Sequence, residues 1–223
     1  LGAPRNDENQ RKANYMPLSY DRTHTLVTNF VWALPGVANK AAGILLNDWQ
    51  LSGVFTAGSG APFSVTYSIP GVTARNLTGA QGLESARIVM TGDPGGGCSD
   101  DPYKQFDTSA FSTPQSGSIG LESGLNYMRG CSDRTLNLSL SRSVSVGGSR
   151  ELSVRIDAFN ALNTVIFNSS NATLNVASYT NRTPSNLARN ASGELIPANI
   201  RGFGAVTGVA APRTMQLTAR FRF

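Results

Sequence analysis

The sequence predicts an all-β chain whose antiparallel strands cross a membrane as part of a barrel wall. Three observations carry that expectation. At the C-terminus Met215, Leu217, Ala219, Phe221 and Phe223 alternate with Thr214, Gln216, Thr218, Arg220 and Arg222, so a greasy face backs a hydrated, charged one. The same period of two returns at intervals along the 223 residues. Finally, the connections between these segments alternate between short and long, as periplasmic turns and extracellular loops do in outer-membrane barrels.

Residues 1–20, with Pro4 and Pro17, read as a loop or the tail of a preceding strand. Residues 22–34 form a long strand in which Leu26, Phe30, Trp32 and Leu34 share a face opposite Thr25, Val27, Asn29 and Val31; Pro35-Gly36 breaks it. Residues 37–46 hold a helix-like apolar cluster, short enough for a turn at the membrane edge. A second strand, 49–56, aligns Trp49, Leu51, Gly53 and Phe55, and after Gly58-Ser59-Gly60 a third, 61–67, aligns Phe63, Val65 and Tyr67 as its hairpin partner. Residues 68–133 are interrupted by Gly and Pro throughout and predict long surface excursions around one short strand at 86–90. Order returns at 134–146, where Leu136, Leu138 and Leu140 alternate with Thr135, Asn137, Ser139 and Ser141 before the tight turn at Gly147-Gly148. In 151–160 Leu152, Val154, Ile156 and Ala158 back Glu151, Ser153, Arg155 and Asp157. Residues 164–211 are irregular, and 212–223 is the terminal strand. Asn160, Asn163 and Asn168 are placed to cap turns, because a short amide bonds its own backbone and tolerates left-handed conformations.

Composition agrees. Only 15% of residues are charged, while Gly numbers 23 and Ser, Thr and Asn abound, so neutral groups carry the polarity. The net charge of +5 is scattered, with no basic tract beyond Arg11-Lys12, which excludes a nucleic-acid partner. No apolar run is long enough for a transmembrane helix or a signal peptide. The opening Leu1-Gly2-Ala3 lacks an initiator Met and an export segment, from which a removed presequence or a longer parent polypeptide is expected. Cys98 and Cys131 both lie in Gly/Ser/Asp-rich sequence, which fits a loop disulfide in an oxidising compartment or two free thiols.

Catalytic and metal chemistry lack their parts. His24 is the single histidine and has no ligand-spaced partner, so neither a metal site nor a Ser/His/Asp triad is expected. The run 93–101 resembles a calcium loop only loosely, and Gly92, Gly95, Gly96 and Gly97 precede no Lys-Ser/Thr pair that would complete a phosphate cradle. No cofactor and no enzymatic activity are expected. Arg155 and Asp157, with Arg220 and Arg222, fall on the polar side, where they pair across strands, meet a plug or are hydrated.

Several stretches carry a family resemblance: Ser19-Tyr20-Asp21-Arg22-Thr23-His24, Trp49-Gln50-Leu51-Ser52-Gly53-Val54-Phe55, Ser59-Gly60-Ala61-Pro62-Phe63, residues 155–163, and Phe203-Gly204 followed by Pro212-Arg213-Thr214-Met215-Gln216-Leu217. In this order they resemble the C-terminal part of TonB-dependent outer-membrane receptors, nearest the Oar-like branch. The resemblance implies a place in the bacterial outer membrane and a 22-stranded antiparallel transmembrane β-barrel with long extracellular loops, of which residues 1–223 supply the C-terminal wall, about eight strands' worth. It implies partners: the N-terminal barrel strands and plug, absent from this chain; the inner-membrane TonB complex, reached through that absent part; outer-membrane lipid; and the barrel assembly machinery. The implied activity is passage of a large solute across the outer membrane. It also makes Leu217, Phe221 and Phe223 the terminal strand recognised for insertion, and the departure Arg129-Gly130-Cys131-Ser132, where relatives continue Gly-Pro-Gly, supports a Cys98–Cys131 disulfide. Two alternatives stand beside it: a self-contained small outer-membrane barrel serving as adhesin or anchor, and a secreted β-sandwich that binds.

Overall fold

A computed structural model describes residues 15–73, 77, 86–118 and 122–223; the Arg11-Lys12 pair and most of the predicted N-terminal loop lie outside them. In chain order the strands are β1 (Thr25–Ala33), β2 (Trp49–Gly58), β3 (Pro62–Phe63), β4 (Thr66–Ser68), β5 (Val89–Met90), β6 (Phe111–Ser112), β7 (Met128–Arg129), β8 (Asp133–Ser145), β9 (Glu151–Phe159), β10 (Phe167–Ser170), β11 (Thr173–Asn175), β12 (Val206–Val209) and β13 (Thr214–Arg222). Helix α1 (Lys40–Leu46) lies between β1 and β2. The chain divides into a wall unit, Thr23–Ser59, Ser132–Ile166 and Ala210–Phe223, and a loop unit, Leu1–Arg22, Gly60–Cys131 and Phe167–Val209.

The wall unit is one antiparallel sheet, ordered β1-β2-β8-β9-β13. Its strands of 9, 10, 13, 9 and 9 residues meet the length a tilted strand needs to cross hydrocarbon. Register holds the apolar face together across the sheet: Trp32 lies opposite Leu51, Leu51 opposite Leu140, Leu140 opposite Ile156, and Ile156 opposite Leu217. A slip of one residue anywhere would turn a whole strand's apolar set to the polar side. Phe30 shows how closely the face packs, for a Cβ on Gly53 would stand 2.6 Å from its ring and 2.8 Å from Leu138 Cδ2. The face is uncovered, with Leu217 70% and Met215 66% exposed. A secreted β-sandwich would bury it against a second sheet, so that alternative is not the arrangement found.

The two ends of this sheet differ. At one end β1 joins β2 through residues 34–48, which contain α1, and β8 joins β9 through Gly147 and Gly148 at φ of +100° and +64°, a conformation that favours glycine. Asn39 caps α1, its side-chain oxygen accepting from Ala41 N and Ala42 N. At the opposite end every strand leads into a long segment. Asn160 closes that end: its backbone is left-handed (φ +48°), its amide donates to the carbonyls of Thr164 and Ala211, its Oδ1 accepts from Thr164 N, and its own N–H donates to Asn137 Oδ1. Asn163 is also left-handed (φ +51°), whereas Asn168 stands in β10 and caps nothing.

The loop unit has a different construction. Phe106, Phe111 and Phe203 meet edge to face, with centroids 5.2 to 5.9 Å apart, and Val65, Ile88, Met128 and Leu174 pack with them. Around this core run pairs of very short strands: β3 with β7, β5 with β6, β10 with β12, and β4 parallel to β11. Asparagine side chains splice the gaps; Asn186 accepts from Asn175 N and donates to Thr173 O, and Asn171 accepts from Thr173 N and donates to Arg201 O.

Three expectations are corrected here. Residues 61–67 are not the hairpin partner of β2: the chain turns away at Gly60, where a Cβ would collide with Gly130 O, and Val65 enters the loop unit's core. Among the described residues the wall sheet holds five strands, where about eight strands' worth of chain is expected. Residues 164–211, expected to be irregular, carry β10, β11 and β12, too short to show a period.

Candidate functional site

Three surfaces carry candidate function, and each follows from its own strands or loop. The first is the polar face of the sheet. Reading across it, Ser52, Ser139, Asp157 and Gln216 stand side by side on successive strands, and Gln50, Ser141, Arg155 and Thr218 form the next row. Arg155 and Asp157, two residues apart on β9, point the same way and pair along the strand, Arg155 Nε donating to Asp157 Oδ1 at 2.8 Å. The Asp157 side chain is 12% exposed, while that of Arg155 is 60% exposed and keeps the pair in contact with water. The rows at the turn end bring Arg222 to within 3.8 Å of Glu151 on β9 and set Arg220 opposite Ser153, whose hydroxyl donates to the Arg220 carbonyl. Arg155 and Asp157 are thus brought together, while Arg220 and Arg222 belong to separate rows.

The second is β13, whose outer edge has no partner strand among the described residues. Leu217 and Phe221 lie exposed on the apolar face, and the Phe221 and Phe223 rings are 6.5 Å apart. β1 forms the other open edge. An open edge in lipid leaves backbone groups unsatisfied at several kcal/mol each.

The third is a shallow cleft in the loop unit, lined by Asp93, Pro94, Ser99, Asp101, Lys104 and Asp107 among others. Cys98 and Cys131 are joined in a disulfide beside it. Buried Gln105 shapes its floor, donating to the carbonyls of Ser99 and Asp101 and accepting from Ser99 N. The carboxylates are engaged within the loop: Asp93 accepts from Gly95 N, and Asp101 pairs with Arg189 at 3.0 Å while that guanidinium lies over the Tyr103 ring. A hydrogen bond from the Ser109 hydroxyl, with help from Lys104, holds the Asp107 carboxyl below the usual carboxylate range. Among the described residues no group of His, Cys, Asp and Glu could hold a metal ion.

Sequence reasoning missed several supports. Arg129 reaches back to Asp21 at 2.7 Å, and its guanidinium also donates to Gly60 O. Phe203, noticed only as part of a motif, is the centre of the loop core. Tyr67 is half-buried near Glu122, and desolvation first, then that charge, pushes its hydroxyl up to about 12. Such contacts join residues far apart in the chain and leave no local signal.

In comparison with known protein families, the model described as "Outer membrane beta barrel domain" matches residues 2–216. The chain belongs to that family. It is a non-catalytic domain of the outer membrane. No curated protein and no solved structure matches.

Proposed function

We propose that this outer-membrane barrel domain is the C-terminal wall of a TonB-dependent receptor that passes a large solute across the outer membrane. The observation that carries the reading is the parity of the sheet. Five antiparallel strands leave β1 and β13 running in the same direction, so joining them directly, within one chain or between two copies in one membrane orientation, would create a parallel seam. An all-antiparallel wall needs an odd number of further strands between them, which a larger barrel supplies and the five wall strands of the described residues do not. The family motifs, from Ser19-Tyr20-Asp21 to Pro212-Arg213-Thr214, add support, and in such receptors the plug and the segment that engages the TonB complex belong to the N-terminal part. The polar face, with Arg155, Asp157, Arg220 and Arg222, then lines the lumen toward the plug, and the apolar face meets lipid. Short turns face the periplasm and the loop unit's segments emerge outside.

The test is the size and energy dependence of the native species. An antibody raised against residues 1–223 should detect a heat-modifiable outer-membrane protein far heavier than 23.6 kDa, and solute uptake by that species should stop when the TonB complex is removed. A sole species of 23.6 kDa would instead favour the adhesin or anchor.

A further inference from the structure

Helix α1, Lys40–Leu46, carries no polar residue after Lys40, and its apolar end is left open. Ile44 and Leu45 are 71% and 70% exposed and Leu46 is largely so, although they stand next to one another in a well-tethered element. The tethers settle on which side of the sheet the helix end lies. Trp49 Nε1 donates to Leu45 O at 2.9 Å, and Arg142 Nη1 donates to the same carbonyl at 3.1 Å. Trp49 and Arg142 are register partners, the guanidinium lying 5.9 Å from the indole centroid, and both stand on the apolar face in line with Leu51 and Leu140. On the other flank Asn47 grips the turn, accepting from Val37 N at 2.6 Å and donating to Val37 O. A Cβ on Gly43 would come within 2.7 Å of that Asn47 amide, so the helix is seated against the turn and has little freedom to roll.

We infer that α1 is a lipid anchor: Ile44, Leu45 and Leu46 insert into the periplasm-facing phospholipid leaflet beside the barrel. This rests on the wall reading above, because the apolar residues of α1 continue the lipid-facing surface of β1 and β2 past its turn end. An indole and a guanidinium at that boundary match the depth at which amphipathic rings and long cationic side chains are most favourable, one end in hydrocarbon and the other at headgroups. Tying the helix's Leu45 carbonyl to both Trp49 and Arg142 makes the anchor part of the wall, and its insertion fixes the height of β1 and β2 in the bilayer.

The experiment uses the full receptor in vesicles of phosphatidylethanolamine and phosphatidylglycerol, with single added cysteines carrying an environment-sensitive fluorophore. The positions are Ile44→Cys, Leu45→Cys, Leu217→Cys on the wall and Gly193→Cys in a loop, each kept only if heat-modifiable. Labels at 44 and 45 should be quenched several-fold more by lipid-borne nitroxide than by aqueous iodide, as at 217 and opposite to 193. Labels at 44 and 45 that behave like 193, while 217 remains lipid-quenched, overturn the anchor and leave the wall intact. An iodide-accessible 217 overturns the wall itself, and the anchor with it. In a Trp49→Phe variant of the Leu45→Cys protein, the lipid quenching at 45 should fall by about half or more; no change would remove the tether from the account.

Discussion

The wall unit and the loop unit are built by opposite rules. In the wall, Leu217, Met215 and Trp32 remain exposed because their partner is to be hydrocarbon, and regularity comes from a ladder of backbone bonds in fixed register. In the loop unit, Phe203, Ile88 and Leu174 are 1% exposed, strands of two to four residues carry little ladder, and side-chain amides satisfy the backbone instead. A wall strand is stabilised by what surrounds the protein, a loop segment by what the protein surrounds. Damage should therefore separate cleanly between the two.

The largest break should come from the wall. Deleting residues 221–223 removes the end of the β13 edge and the terminal aromatics, and the protein should fail to reach the outer membrane in heat-modifiable form, as read by fractionation and gel mobility. Normal amount and mobility would show that the terminal strand is not the insertion element. Next, Phe203→Ala should destabilise the loop unit by about 3–5 kcal/mol, the usual range for emptying a buried phenyl site. Limited proteolysis should then nick the loop segments while the barrel keeps its gel mobility. Replacing both cysteines with serine, C98S with C131S, should cost the loop unit about 3–4 kcal/mol on chain-entropy grounds, with hydrogen exchange rising in the loop and not in the wall.

Smaller changes sharpen the contrast. Phe221→Lys on the apolar face should cost from about 0 to 4 kcal/mol according to depth, whereas Thr218→Lys on the polar face should be milder; denaturant titration in lipid compares them. The smallest effect is acidic. Asp107 has its pKa lowered by folding, so its contribution is present above the ordinary carboxylate value and fades as pH falls through the lower folded one. An Asp107→Asn variant should flatten loop stability below about pH 4, as followed by proteolysis at graded pH.

The wall was legible in the sequence because lipid and lumen impose a strict period of two, and the residue-by-residue faces of β2, β8, β9 and β13 match the pattern read from Leu51, Leu138, Ile156 and Leu217. The same rule misled at residues 61–67, whose alternating Phe63, Val65 and Tyr67 serve a compact core and not a membrane face. What separates the cases is Gly60, pressed against Gly130 O, a contact across the chain that no local pattern announces. The charged groups were readable as a face with pairing across strands among the expectations, whereas the Arg155–Asp157 bond runs along β9 and depends on rotamers. Asn160 was legible as a left-handed turn, yet its role in fastening Ala211 at the entry to β13 depends on a carbonyl brought from 51 positions away.

The shared direction of β1 and β13 makes the chain a topological vector. Thr25 and Thr214 begin their strands at the loop end, and Ala33 and Arg222 finish theirs at the turn end. In the membrane, an epitope inserted just before β1 and one appended after Phe223 would label opposite compartments. On the proposed orientation, a cargo fused at the first position would be displayed to the medium, and one fused at the second would be retained inside the envelope.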